Sequence, residues 1–212
     1  NVVAPLRQDV PVTLQANGTV APVNSVDLRP QTTSTIRKVH IREGQSVRAG
    51  DLMFSLDDRN EQANVSRAQA QIARDRATLA DLERQYKRNQ ELVAQKFLAQ
   101  SAIDTLRSQV DAQRALIAAN QAALRGERVA ASYGTIRAPM SGRVGAISVY
   151  PGSLVQPTTS LTTITQLDPV NVAFTLPESS LSDLLSAQRA GQVSVEAQPS
   201  GGKPVVGKLN FI

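Results

Sequence analysis

The sequence predicts a mixed α and β fold of elongated, modular design. A small β domain is cut in two, an antiparallel coiled-coil α-hairpin is inserted at the cut, and part of a β-barrel domain follows. Three observations carry this. The pattern Ile36-x2-Val39-x-Ile41-x2-Gly44-x2-Val47 recurs with identical spacing at Val144-x2-Ile147-x-Val149-x2-Gly152-x2-Val155, 108 residues further on. Between the copies, Asp51 to Arg125 holds neither Gly nor Pro, although the chain carries 12 and 11 of them. Two heptad runs of apolar residues fill that interval back to back.

In chain order, residues 1–29 form an extended N-terminal segment, with Val10, Val12 and Leu14 leading into Asn17-Gly18, expected to pair with the barrel. Residues 30–57 are the first β half: alternating apolar residues followed by the turn glycines Gly44 and Gly50 are strand-and-turn signals. Residues 58–131 are the hairpin. Val65, Ile72, Leu79, Tyr86 and Val93 recur every seven residues, with Ala68 and Leu82 at the offset of three, and Asp75 and Asn89 interrupting that set. Ile103, Val110, Ile117 and Leu124 repeat the pattern with Leu106, Gln113 and Asn120 beside them. The short link Lys96 to Gln100 forces the helices antiparallel. Asp58 with Glu61, and Ser101 with Asp104, read as capping boxes, and Gly126 and Gly134 bracket the end of the second helix. Residues 132–168 complete the β domain, with Gly142 and Gly152 as its turn glycines. Residues 169–212 start the barrel. Val170, Val172, Phe174 and Leu176 alternate as a strand, a short helix opens after Pro177 and ends at Gly191, Val193 and Val195 give another strand, and a last strand runs from Val205 to Ile212 without a partner. The start at Asn1 and that unfinished strand lead to the expectation that the chain is part of a longer protein.

Composition narrows the chemistry. There are no cysteines and one histidine, His40. Thiolate sites, disulfides and histidine-pair metal sites are therefore excluded, and no serine stands in a nucleophile elbow. His40 reads as an exposed strand residue, and Asp57 and Asp58 as turn and cap rather than a catalytic pair. The net charge of +5 is spread among acids, and only 3% of residues are aromatic, so base stacking beside a basic patch has little to work with. No stretch approaches the roughly 18 consecutive apolar residues of a membrane span. The reading is non-enzymatic, with no cofactor, no metal and no nucleic-acid partner. The apolar Phe97 and Leu98 at the hairpin link either cap the seam against fraying or form a docking surface, and Arg88 with Leu92, at i and i+4, makes a contact stripe beside them.

Val39-His40-Ile41-Arg42-Glu43-Gly44-Gln45-Ser46-Val47-Arg48-Ala49-Gly50-Asp51-Leu52 resembles the first half of a split lipoyl (biotinyl-like) domain. Ile136-Arg137-Ala138-Pro139-Met140-Ser141-Gly142-Arg143-Val144-Gly145 resembles its return half in periplasmic adaptors, the membrane fusion proteins of the HlyD-like superfamily. Asp168-Pro169-Val170 through Phe174-Thr175-Leu176-Pro177-Glu178-Ser179 is similar to the start of the barrel in adaptors of RND multidrug efflux pumps. The resemblance implies a periplasmic, inner-membrane-associated protein of Gram-negative bacteria. It would join a proton-driven RND transporter to a TolC-type outer-membrane channel as a self-associated ring of six. It also implies a channel contact at the hairpin tip through Arg-x3-Leu-x6-Ser, carried onto Arg88 and Leu92, with Leu98 beside them. Ala99 stands where the serine belongs, so the contact either loses one hydrogen bond or takes it from Ser101. Ser34 departs in the same way, standing opposite Gly142 in the repeat where the family places glycine. An adaptor of an ABC-type exporter or type I secretion system is the alternative. A swinging-arm carrier is disfavoured, because the hairpin that bears the modified lysine in lipoyl and biotinyl domains is replaced by the insertion, Lys87 and Lys96 lie far out along the arm, and no lysine has a Met-Lys-Met-like setting.

Overall fold

The structure, a computed structural model, describes residues 13–189, 191, 193–199 and 201–210. Ser25–Thr165 forms one compact unit, and the segments on either side of it form another. In chain order the first strands are β1 (Gly18–Pro22), β2 (Ser25–Leu28), β3 (Ser34–Val39), β4 (Ser46–Val47) and β5 (Leu52–Leu56). The helices α1 (Arg59–Ala94) and α2 (Gln100–Ser132) follow, then β6 (Thr135–Arg137), β7 (Gly142–Val144), β8 (Leu154–Val155) and β9 (Thr162–Thr165). The chain closes with β10 (Val170–Phe174), α3 (Leu181–Arg189), β11 (Val195–Ala197) and β12 (Val205–Gly207).

The two copies of the sequence pattern fold into one domain by exchanging parts. β3 pairs antiparallel with β5, setting Ile36 opposite Leu56, and β7 pairs with β9, setting Val144 opposite Ile164 at the equivalent positions. The short strands cross over: Ser34 of β3 faces Val155 of β8, and Gly142 of β7 faces Val47 of β4. The backbone repeats the exchange. Gly44 N–H donates to Val144 O at 2.9 Å and Gly152 N–H to Ile36 O at 2.8 Å, while Val144 N–H donates to Gln45 O and Ile36 N–H to Ser153 O, both at 2.9 Å. Each glycine turn is therefore closed by the other copy's strand. Two four-stranded sheets result, ordered β2-β9-β7-β4 and β6-β5-β3-β8. Ile36, Met53, Phe54, Leu56, Val155, Leu161 and Ile164 are fully buried in one shared core.

Gly44, Gly50 and Gly152 have φ of +72°, +89° and +94°, which only glycine adopts without strain. Gly142 is not a turn glycine. It lies in β7, and a Cβ there would sit 2.7 Å from Thr165 O on β9, so it is required by the closeness of two backbones. Ser34, its counterpart, has room for a side chain, and its hydroxyl donates to Asp57 O at 3.0 Å.

The hairpin leaves and returns at one point of this domain. Leu56 N–H donates to Gly134 O at 2.8 Å, and a Cβ on Gly134 would lie 2.5 Å from Asp58 Cβ. The two ends of the insertion are thus pressed together at a glycine. Gly126 lies inside α2 on an exposed face and ends nothing. At 1.5 Å per residue the 36 residues of α1 make an arm of about 54 Å. Its seam buries Val65 and Ile72 from α1 and Ile103, Val110, Ile117, Leu124 and Ala131 from α2, while Leu79, Leu82, Tyr86, Val93 and Leu106 are half-buried.

The polar residues that interrupt the heptads meet midway along the arm. Asp75, only 4% exposed, accepts from Asn120 Nδ2 at 2.7 Å and Gln71 Nε2 at 3.0 Å, and its carbonyl accepts from Gln113 Nε2 at 3.1 Å. Arg74 Nε lies 3.7 Å from the carboxylate. A buried carboxyl held by several donors avoids the cost of an unsatisfied one.

Neither capping box forms. Asp58 occupies the N-cap of α1 without a side-chain cap bond. Its carboxylate instead meets Arg37 at 3.5 Å and Gln62 Nε2 at 3.2 Å. The N-cap of α2 is Ala99, in extended conformation, so Ser101 falls inside the helix.

In the second unit β1 pairs antiparallel with β10, from Gly18 opposite Phe174 to Pro22 opposite Val170, and β11 pairs with β12. The segment read as residues 1–29 is divided by the structure, since β2 belongs to the split domain through β9. Val193 precedes β11, and β12 stops at Gly207. Val10, Val12, Phe211 and Ile212 lie outside the described residues.

Candidate functional site

Among the described residues no group of three His, Cys, Asp or Glu is placed to hold a metal ion. His40 sits just beyond β3 with Nε2 2.8 Å from Ser55 Oγ and no ion pair among the described residues. Asp57, at the strand-to-helix junction, accepts from Arg59 Nη2 at 2.6 Å and Nε at 2.8 Å. That guanidinium holds the Asp57 carboxyl down to about 2, a fixed ion pair rather than a poised acid. Asp27 is lowered too, by the Ser160 hydroxyl first and then by Arg29.

The distal end of the arm is different: it gathers exposed apolar and basic side chains. α1 ends in a Schellman turn, in which Lys96 N–H donates to Val93 O at 2.8 Å and Phe97 N–H to Leu92 O at 2.9 Å. The turn needs a left-handed residue, and Lys96 supplies it at φ +62°, the only non-glycine residue with positive φ among those described. This conformation ordinarily costs a non-glycine residue about 1–2 kcal/mol. Phe97 follows, 75% exposed, with Leu98 at 37% and Leu92 at 36%. Phe97 therefore does not cap the seam.

The residues expected at the tip fall as follows. Arg88 is exposed on α1 with no ion pair among the described residues. Leu92 lies in the last turn of α1, and Leu98 and Ala99 lie in the link. Ser101 is exposed in the first turn of α2, where its carbonyl accepts from Thr105 Oγ1 at 2.9 Å. Because Ala99 takes the N-cap position, the Ser101 hydroxyl is not committed to capping. The left-handed Lys96 escaped sequence reading, since lysine carries no signal for that conformation. Gly44, Gly50, Gly142 and Gly152 all lie at the base, where they shape the β domain.

The chain is thus a split β domain of two interlocked repeats, carrying a long antiparallel helical hairpin between its halves. Residues 24–167 match the barrel-sandwich hybrid domain of RND membrane fusion proteins, and the chain belongs to that family. The multidrug resistance protein MdtA of Klebsiella pneumoniae subsp. pneumoniae is 37% identical over 194 residues, which is 90% of this chain and 47% of that protein. The chain thus spans about half the length of the curated relatives it matches. A chimera of MacA and MexA carrying the Pseudomonas aeruginosa MexA α-hairpin shares the fold at TM-score 0.54 and 24% identity, over 79% of this chain and 56% of the chimera. The membrane fusion protein Spr0693 from Streptococcus pneumoniae R6 does so at TM-score 0.60 and 17% identity, over 73% of this chain and 66% of that one.

Proposed function

We propose that this chain is the periplasmic adaptor of a tripartite multidrug efflux pump, linking an inner-membrane RND transporter to a TolC-type outer-membrane channel. It acts as a scaffold and performs no covalent chemistry. The carrying observation is the long hairpin installed between the halves of a domain that matches RND membrane fusion proteins. Relatives named as multidrug resistance proteins support the cargo class. The same domain match disfavours the ABC-exporter and type I secretion alternative. In this reading the β domains associate side by side, six to a ring, beside the inner membrane. The tips, through Arg88, Leu92, Leu98, Ala99 and Ser101, engage the channel, with Ser101 supplying the hydroxyl that Ala99 lacks.

The test is Arg88→Glu in cells that depend on the pump. Drug susceptibility is expected to rise and crosslinking from the tip to the channel to fall, with unchanged thermal unfolding because Arg88 is exposed. Normal resistance with normal crosslinking removes Arg88 from the contact.

A further inference from the structure

The tip carries one side chain whose exposure the adaptor reading leaves unexplained. In a Schellman turn the residue after the left-handed position ordinarily folds back onto the residue five before it. Here those residues are Phe97 and Leu92, yet the phenyl ring stays 75% exposed and Leu92 36% exposed. The backbone that presents the ring is firmly held. Gln95, Lys96 and Phe97 each donate into the last turn of α1, at 3.3, 2.8 and 2.9 Å, and Ala102 N–H donates to Ala99 O at 3.1 Å across the start of α2. A left-handed lysine, strained for its type, is part of that frame. The backbone that carries the ring is thus set before any partner arrives, which lowers the ordering cost of binding.

The surroundings are basic. Lys87, Arg88, Lys96 and Arg107 have no ion-pair partner among the described residues, whereas Arg84 is paired with Asp81, and Arg114 with Glu83 and Asp111. The acids nearest in sequence to the link, Glu91 and Asp104, are fewer than these four cations. We propose that Phe97 is a docking knob, inserting into an apolar socket rimmed by carboxylates on the end of the outer-membrane channel. This rests on the reading that the tip meets that channel. A protein socket is favoured over a lipid surface because a single exposed ring with two part-exposed leucines lacks the broad apolar face of a membrane-lying helix. A central aromatic anchor within a polar, charged rim is the usual make-up of a tight contact.

The experiment uses a photo-crosslinking residue at Gln95, in the adaptor expressed with its transporter and channel. A companion measurement uses Phe97→Trp, since this chain has no tryptophan of its own. The Gln95 crosslink to the channel is expected to fall about tenfold or more in Phe97→Ala, to survive in Phe97→Leu, and to weaken with added salt. The indole emission of the Phe97→Trp variant is expected to shift to the blue when a TolC-type channel in nanodiscs is added. Thermal unfolding of Phe97→Ala stays at the parent value, because the ring buries little. Undiminished crosslinking in Phe97→Ala, with loss in Arg88→Glu, overturns the knob and leaves the tip contact standing. No crosslink in the parent protein overturns the tip reading and the knob with it. A blue shift on vesicles of anionic phospholipid, but not on the channel, assigns the ring to a lipid surface and overturns the socket.

Discussion

The β domain and the hairpin are built from the same chain by opposite rules. At the base, each strand is closed by residues from the other copy about a hundred positions away, and Met53, Phe54, Leu56, Val155, Leu161 and Ile164 are wholly sealed from water. Along the arm the backbone bonds are local to each helix, the two helices meet at a single seam, several seam residues on α1 are only half-buried, and an aspartate sits at the centre. Stability is therefore concentrated where the insertion is anchored, and the reaching part is held by a thin seam. A thin seam leaves most of the arm's surface to be chosen for contacts with other molecules.

The contrast breaks most sharply on matched truncations. Phe54→Ala should cost about 4 kcal/mol by urea unfolding, because it empties the sealed core, whereas Leu79→Ala, half-buried in the seam, should cost about 1–2 kcal/mol. Equal losses at the two sites would show that the arm is as tightly packed as the base. Gly142→Val drives a side chain into the β9 backbone at Thr165 and should cost about 2–3 kcal/mol in the same assay. Gly126→Ala, on an open helical face, should instead be neutral or stabilising by up to about 1 kcal/mol.

The polar layer sharpens the contrast further. Asn120→Ala removes the 2.7 Å donor to buried Asp75 and should destabilise by about 1–3 kcal/mol. Replacing both residues with leucine should recover that loss, since an apolar layer needs no partners. A double variant no better than Asn120→Ala would mean that the layer is not energetically coupled. The smallest effect lies at the junction of base and arm. NMR titration should find the Asp57 carboxyl near pH 2, and Arg59→Gln should return it toward the ordinary value of about 3.9. Its folded value lies below the unfolded one. The pair's contribution is thus complete above about pH 4 and disappears as pH falls through about 2.

Both regions were legible in the sequence to different depths. The repeat was visible because alternating valines and isoleucines ending at Gly44 and Gly152 keep their spacing, and the helices because heptads persist without Gly or Pro. The structure lengthens the repeat to Leu28 with Ile136, Met53 with Leu161 and Leu56 with Ile164, all buried at equivalent places. Those pairs lie outside the glycine-ended stretch, where no turn residue marks the register and only burial shows the match. The start of α2 differs for a related reason, whereas Asp58 does take the N-cap position of α1. Ser101 and Asp58 have the right side chains for capping, but the cap depends on backbone conformation, and at α2 the extended residue is Ala99. Asp75, Gln113 and Asn120 looked like flaws in the seam when each helix was read alone. Facing one another, they satisfy one another. The tip contact could be inferred only by resemblance, since partner surfaces leave no periodic mark on the chain that meets them.

The interlocked turns have a consequence for synthesis. When residues 25–56 leave the ribosome, β3 and β5 can already pair, but the strands that close their turns do not yet exist, so the first half must wait for the second. The intervening helices need only near neighbours to form and are the natural early structure. By folding first they shorten the effective loop that separates the halves, since Leu56 and Gly134 are brought within one hydrogen bond. The part of the molecule that reaches outward is thus also the clamp that lets its foundation assemble.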